Sequence, residues 1–419
     1  MSAISKPAHS VEGANFRHLV WDIAWFGLAL AATTRFLQFF ALEMGASAMD
    51  LGWLTALPAL IVLLTTTLSP WWRRRCDTSI QAVMIPGFIQ RLAFLLPAFA
   101  PFFPEQWRVP WIIIASTAPM IGQGAVSAIF VLMMRETIDD SQLQPLLTRR
   151  HIAMNVTITM GAVAFGLMLE ALPFPLNYQI MFVVAFGFAM LSQWHLTRLR
   201  PLQAEAASEA VVHRSYRQLL ADPAFRSVIA VLIAGFGAFH LVVAVIPIHL
   251  RNGLGATEGY MGVYGGLEVL AGFLAALALN RLTRRFSNRT LIALSMGATA
   301  LAVLVVALAP NREIALISAL LNGAGWSIAG LCSFAYFAER TAKSDMHAAM
   351  VYHQIIYACI FVAPLIGSWL VDAGLGVVSV LLLGFLVRLV GAAVCEFGVD
   401  QRKKAKRYGD WVEVSPAGD

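Results

Sequence analysis

Apolar runs of about 20 residues recur from Leu19 to Phe397, and they constrain the fold more than any other feature. A bilayer core about 30 Å thick is crossed by a helix of about 20 apolar residues, longer than the buried helices of soluble domains. Charged residues make up 13% of the chain and hydrophobic ones 59%, with a mean hydropathy of +0.71. Soluble domains carry roughly 25% charged residues, so this chain cannot cover a water-facing surface. The runs lack the alternation of barrel strands and are about twice their length. The fold class is all-α polytopic membrane protein.

Twelve transmembrane helices are expected, at about 17–43, 49–70, 80–103, 109–135, 148–172, 174–197, 225–249, 257–281, 289–309, 312–338, 346–373 and 375–398. Of the 30 Lys and Arg, Arg108, Arg251 and Arg312 fall on one side of the membrane and Arg35, Arg91 and Arg388 inside helices; the rest share the opposite side. That bias predicts cytoplasmic termini in a cell inner (plasma) membrane. It also accounts for "LSPWWRRRCDTS" (Leu68–Ser79), which otherwise suggests a phosphate or nucleic-acid patch. No nucleic-acid partner is expected. The N-terminal apolar run is too long for a signal peptide. Four scattered cysteines suggest neither disulfides nor a metal site, and two Asn-x-Thr triplets fall in a helix and a basic loop.

The sequence also meets itself. A shift of 210 residues lays Ala24–Gly27 on Ala234–Gly237, Gly45–Gly52 on Gly255–Gly262 and Arg74-Arg75 on Arg284-Arg285. A shift of 201 lays Gly122, Gly124 and Gly166 on Gly323, Gly325 and Gly367. Single matches of small residues reflect helix packing, but matches in register around a shared basic loop indicate a duplicated six-helix unit. The expected domains are a tail (1–16), a six-helix bundle (17–197), a cytoplasmic linker (198–224) with a short amphipathic helix near Tyr216–Leu220, a second bundle (225–398) and a basic tail (399–419).

Six plus six helices, the linker and a basic loop after helices 2 and 8 resemble the major facilitator superfamily (MFS), over about residues 17–398. "NRLTRRFSNR" fits the family's loop motif at Arg285 and Arg289; "PWWRRRCDTS" fits it at Arg75. Both copies depart at the acidic position, held here by Arg74 and Arg284. These are either plain inside anchors or gate residues with inverted partners such as Glu136 or Glu339. The resemblance implies that helices 1, 4, 7 and 10 line the cavity and helices 2, 5, 8 and 11 form the gates. It lacks the helix-5 Gly-Pro signature of drug/proton antiporters, since "GAVAFG" (Gly161–Gly166) has no Pro.

Ionisable residues inside a membrane are costly and need a reason. Glu268 stands alone in the eighth helix, and His240 lies mid-way along the seventh. Each is fourteen residues from Leu254, so a hairpin sets them at similar depth as a candidate proton-coupling pair; the alternative is packing through hydrogen bonds. Arg35, with Gln38 on the same face, either binds a carboxylate or phosphate or snorkels to the surface. Gln123, Asn322 and Trp326 sit beside glycines on helices 4 and 10, as a substrate wall or as packing. Asn155, His353 and Gln354 add polarity to the gates, alongside Arg75 and Arg285. Arg91 and Arg388 read as structural, and Asp22 as solvated near the interface.

The reading that follows is a secondary transporter for a small organic solute, anionic by the balance of intramembrane Arg over Glu. It is expected to be proton-coupled, monomeric, without cofactor or metal, and embedded in lipid. No ATP-binding loop or enzyme constellation appears. Two other readings stay open: efflux of amphipathic drug-like compounds, and a sensor, scaffold or lipid-handling protein without solute flux.

Overall fold

The computed structural model describes residues 11–202, 216–341 and 346–398. Within them lie twelve helices long and apolar enough to cross a membrane. They are α1 (Val11–Glu43), α2 (Ala48–Thr66), α3 (Ser79–Phe102), α4 (Glu105–Thr117 continued by Met120–Thr137), α5 (Asp140–Ala171) and α6 (Leu176–Thr197). After a short linker helix at Tyr216–Ala221 come α7 (Pro223–Gly253), α8 (Glu258–Leu282), α9 (Asn288–Leu308), α10 (Arg312–Ala338), α11 (Met346–Asp372) and α12 (Val377–Phe397). The expected amphipathic linker helix is therefore present. The first helix already includes Val11, the first described residue, and the fifth begins at Asp140, each ahead of the position expected from hydropathy. The added stretches carry Glu12 and Asn15 in one and Asp140, Ser141, Gln142 and Gln144 in the other, polar residues at which a hydropathy count stops.

The repeat has a local cause. Gly45 and Gly255 have φ of +92° and +64°, which side-chain-bearing residues rarely adopt. Two residues later Ser47 and Thr257 cap α2 and α8, accepting from the backbone N–H of Asp50 and Tyr260. Each cap contributes about 1 kcal/mol. Thr78 and Ser287 cap α3 and α9 in the same way. The match of Gly45–Gly52 with Gly255–Gly262 is thus a turn-and-cap unit repeated in both halves.

The structure is a pair of pseudo-symmetric six-helix bundles, α1–α6 and α7–α12. We call the ends of the bundles near Val11 and Phe397 the terminal side and the opposite ends the far side. On the far side one apolar core draws on both halves, from Phe36, Leu51 and Phe182 to Val245, Val306 and Leu381. On the terminal side there are two cores. One, around Leu19, Ile129 and Leu196, belongs to the first half; the other, around Phe225, Ile292 and Tyr336, belongs to the second. The halves are fused at one end and forked at the other.

Candidate functional site

The fused end is closed by backbone approach and by charge. A Cβ at Gly262 would come within 2.5 Å of the Ala162 carbonyl oxygen, and one at Gly166 within 3.0 Å of the Gly262 Cα. Glycines on α5 and α8 therefore let the two halves touch along their backbones. Gly52 of α2 makes room for the Ser368 side chain of α11. Two carboxylates then cross between halves. Glu170, ending α5, accepts from the Gly259 N–H that starts α8, at 3.1 Å. Asp372, ending α11, accepts from the Met49 N–H that starts α2, at 3.2 Å. Free N–H groups and the helix dipole favour an anion at those places. Arg251 of α7 adds ion pairs to Glu43 of α1 and, at 3.4 Å, to Glu258, which also accepts from the Tyr178 hydroxyl.

At the inner edge of this closure, α1 breaks at Arg35, whose φ of −129° leaves the helical range. Thr33 and Thr34 donate back to the carbonyls of Leu30 and Ala31, a bond that bends helices. The break turns Arg35 across the interface, where it forms an ion pair with Glu268 of α8. The Arg35 and Glu268 side chains keep 26% and 12% of their surface accessible. Glu268 also accepts from Asn322 Nδ2 of α10 at 2.6 Å. Gly323 sets that register, since its Cα lies so close to the Glu268 carbonyl that no Cβ fits. Asn322 Oδ1 is buried without a hydrogen-bond partner. One turn further along α10, Trp326 stacks on Phe239 and meets the His240 ring edge-on at 5.3 Å.

The expected residues divide accordingly. Arg35, Glu268 and Asn322 come together, and Trp326 lies one turn from Asn322 among the rings of Phe236, Phe239 and His240. Gln38 points to Thr55 of α2 at 3.2 Å. His240 is bonded to the Phe236 carbonyl at 2.8 Å and enclosed by Phe236, Phe239 and Trp326, so its described contacts do not include Glu268. Gln123 accepts from Gln90 of α3, away from the centre. Arg75 covers the Trp71 ring, Arg285 is exposed in its loop, Asn155 donates to the His151 carbonyl, and His353 lies against Tyr352. Gln354 is half-buried near it on α11. These five lie towards the terminal side, where the halves are apart, and the contacts described for them stay within their own half.

Three buried networks explain the remaining charges. Arg91 bonds the Ala189 and Gly87 carbonyls and Ser192, with Asp22 at 3.7 Å. Asp22 is not solvated as expected: it is buried, paired with Arg150 at 3.0 Å and bonded by Ser192. Two more helices, α5 and α6, cover it, which a reading of the α1 sequence alone misses. Arg388 is fully buried and donates to the carbonyls of Thr299 and Phe239 at 2.7 Å. Glu136 pairs with Arg73 and accepts from the Ser79 N–H, while Glu339 accepts from Asn288; the contacts described for these two carboxylates do not include Arg74 or Arg284.

The Major Facilitator Superfamily profile matches residues 23–363. The chain belongs to that superfamily. Solved transporters share its fold at low identity. A D-xylose–proton symporter superposes with a TM-score of 0.69 at 16% identity, covering 94% of this chain and 100% of its own. An auto-inhibited POT family peptide transporter gives 0.70 at 10% identity (94% and 98%). A bacterial homologue of the iron transporter ferroportin, in its inward-facing state, gives 0.67 at 14% (91% and 98%). No curated protein aligns with the chain by sequence at a significant level. Sequence reasoning missed the far-side lock of this superfamily member: Glu43, Glu170, Arg251, Glu258 and Asp372. The signal for it was a carboxylate two to four residues before a turn in each half, together with the glycine run of α8.

Proposed function

We propose that this MFS protein is a proton-coupled secondary transporter that moves a small organic anion across the cell inner membrane by alternating access, with both termini cytoplasmic. On that orientation the forked terminal side faces the cytoplasm and the far side is the closed outer gate. The observation that carries the reading is the Arg35–Glu268 ion pair. It joins the two halves at the base of the closure, the position where a solute must be held while the bundles rock. A guanidinium there suits an anion, and a carboxylate there takes a proton when its partner leaves. Asn322 and Trp326 supply a polar and an apolar wall. Gating on the cytoplasmic side falls to the ends of α5 and α11, with Asn155, His353 and Gln354, and to the loops of Arg75 and Arg285.

Proteoliposome counterflow with a pooled metabolite library tests transport. Glu268→Gln is expected to lose pH-gradient-driven uptake and keep exchange. If the pH dependence of uptake is unchanged in that variant, Glu268 leaves the mechanism. Drug-efflux reading is disfavoured by the same pair, because Arg35 neutralises the acid a cationic drug would need.

A further inference from the structure

We infer that the solute is a monocarboxylate and that it is carried with one proton and no net charge, an inference resting on the transport reading above. The argument is one of charge balance at a site where net charge is costly. Among the described residues, the ionisable groups meeting at the centre are Arg35 and Glu268. Arg91 is bonded to carbonyls and a serine beside Asp22, and Arg388, bonded to carbonyls, lies against the Phe239 ring at 4.5 Å with its charge the same in the empty and loaded forms. From α10 Glu268 meets only the amide of Asn322. On its own helix Tyr264 is bonded to Ser318, and on α7 His240 is bonded to a carbonyl. The α5 face beside α8 offers Thr159 and Ala162, which do not titrate. With Glu268 ionised, the Arg35–Glu268 pair is therefore neutral.

A solute carboxylate that binds Arg35 must displace Glu268, and the freed carboxylate takes a proton rather than stay unpaired. Only the Glu268 O–H bond forms; the proton comes from water on the loading side and returns to water on the other. The loaded site then holds Arg35, one monoanion and a neutral acid, and is neutral again. A dianion would leave one negative charge, and a neutral solute would leave Arg35 unpaired. Asn322 serves both forms. Its Nδ2 donates to the ionised carboxylate at 2.6 Å, and its buried, unpartnered Oδ1 is an acceptor for the O–H of the protonated acid. Trp326, half-buried one turn from Asn322 on α10, gives the body of the anion an apolar surface.

The test uses the purified full-length protein, first for ligand-induced thermal stabilisation and then in proteoliposomes. The probes are lactate, pyruvate and gluconate as monoanions, succinate and citrate as polyanions, choline as a cation and glucose as a neutral solute. Monoanions should stabilise the protein, with affinity rising about tenfold per unit fall in pH where Glu268 titrates. Glu268→Gln should bind them with no pH dependence, and Arg35→Gln should not bind them while melting as a folded protein. Uptake should follow a pH gradient and ignore a valinomycin-imposed potential. Potential-driven uptake, carriage of a polyanion, cation or neutral solute, or pH-dependent binding by Glu268→Gln overturns the inference while leaving transport standing. Silence across every class sinks the transport reading and this inference together.

Discussion

The two ends of the molecule are built from the same twelve helices yet packed differently. On the far side one core runs through both halves; on the terminal side each half keeps its own. The difference lies in what the helix ends carry. At the fused end, glycines let α5 and α8 meet at backbone distance, and carboxylates of one half cap helix starts of the other. At the forked end, the carboxylates Glu136 and Glu339 tie helix starts within their own half. The lesson is that each half is held rigid at its terminal end, while the bond between halves is confined to contacts that can be released as a set.

The largest test breaks the fused end. Gly262→Val puts a branched side chain where a single Cβ would already be 2.5 Å from a carbonyl oxygen. Transport should be lost, and spin-label distances between the α5–α6 and α7–α8 turns should lengthen; unchanged distances would remove the glycine contact from the closure. Next comes the rigidity of each half. Arg388→Met strips three buried carbonyls of their donor, with an expected loss of about 1–3 kcal/mol. Arg91→Met should cost a similar amount, about 1–3 kcal/mol, because Asp22 keeps Arg150. Thermal or denaturant unfolding measures both, and an unchanged midpoint in either variant would remove that arginine from the rigidity of its half.

The caps come third. Glu170→Ala and Asp372→Ala should each weaken the closed far side by about 1 kcal/mol, roughly fivefold in the population ratio. The double variant should multiply the effects. The same spin-label pairs report the shift, and an effect confined to one residue would refute the pseudo-symmetric lock. The smallest expected change is Gly297→Ala in α9. A Cβ there meets nothing within 4 Å, so the helix should gain at most about 1 kcal/mol with no change in transport.

Much of the fold was legible because it follows from local rules. Twelve apolar lengths, the duplication and the linker helix at Tyr216–Ala221 are properties of composition and spacing. At the site, Arg35, Glu268, Asn322 and Trp326 stood out one by one as costly or functional side chains on lining or gating helices. Their partners did not. The expected Glu268–His240 pair rested on equal depth, which says nothing about facing; α8 turns Glu268 towards α1 and α10, and aromatic rings enclose His240. Asp22 was misjudged for the same reason, since its burial comes from helices more than a hundred residues away.

The chain's own order of residues determined that it spans a bilayer twelve times, that it is a doubled six-helix unit, and which few charges it places inside. Those are consequences of what a membrane tolerates along a single helix, and they need no partner. Which charge meets which, and which end is shut, was decided only when the helices packed. Arg35 reaches Glu268 across 233 residues of chain, and no local rule acts at that range; the break in α1 and the glycine contacts of α8 bring them together.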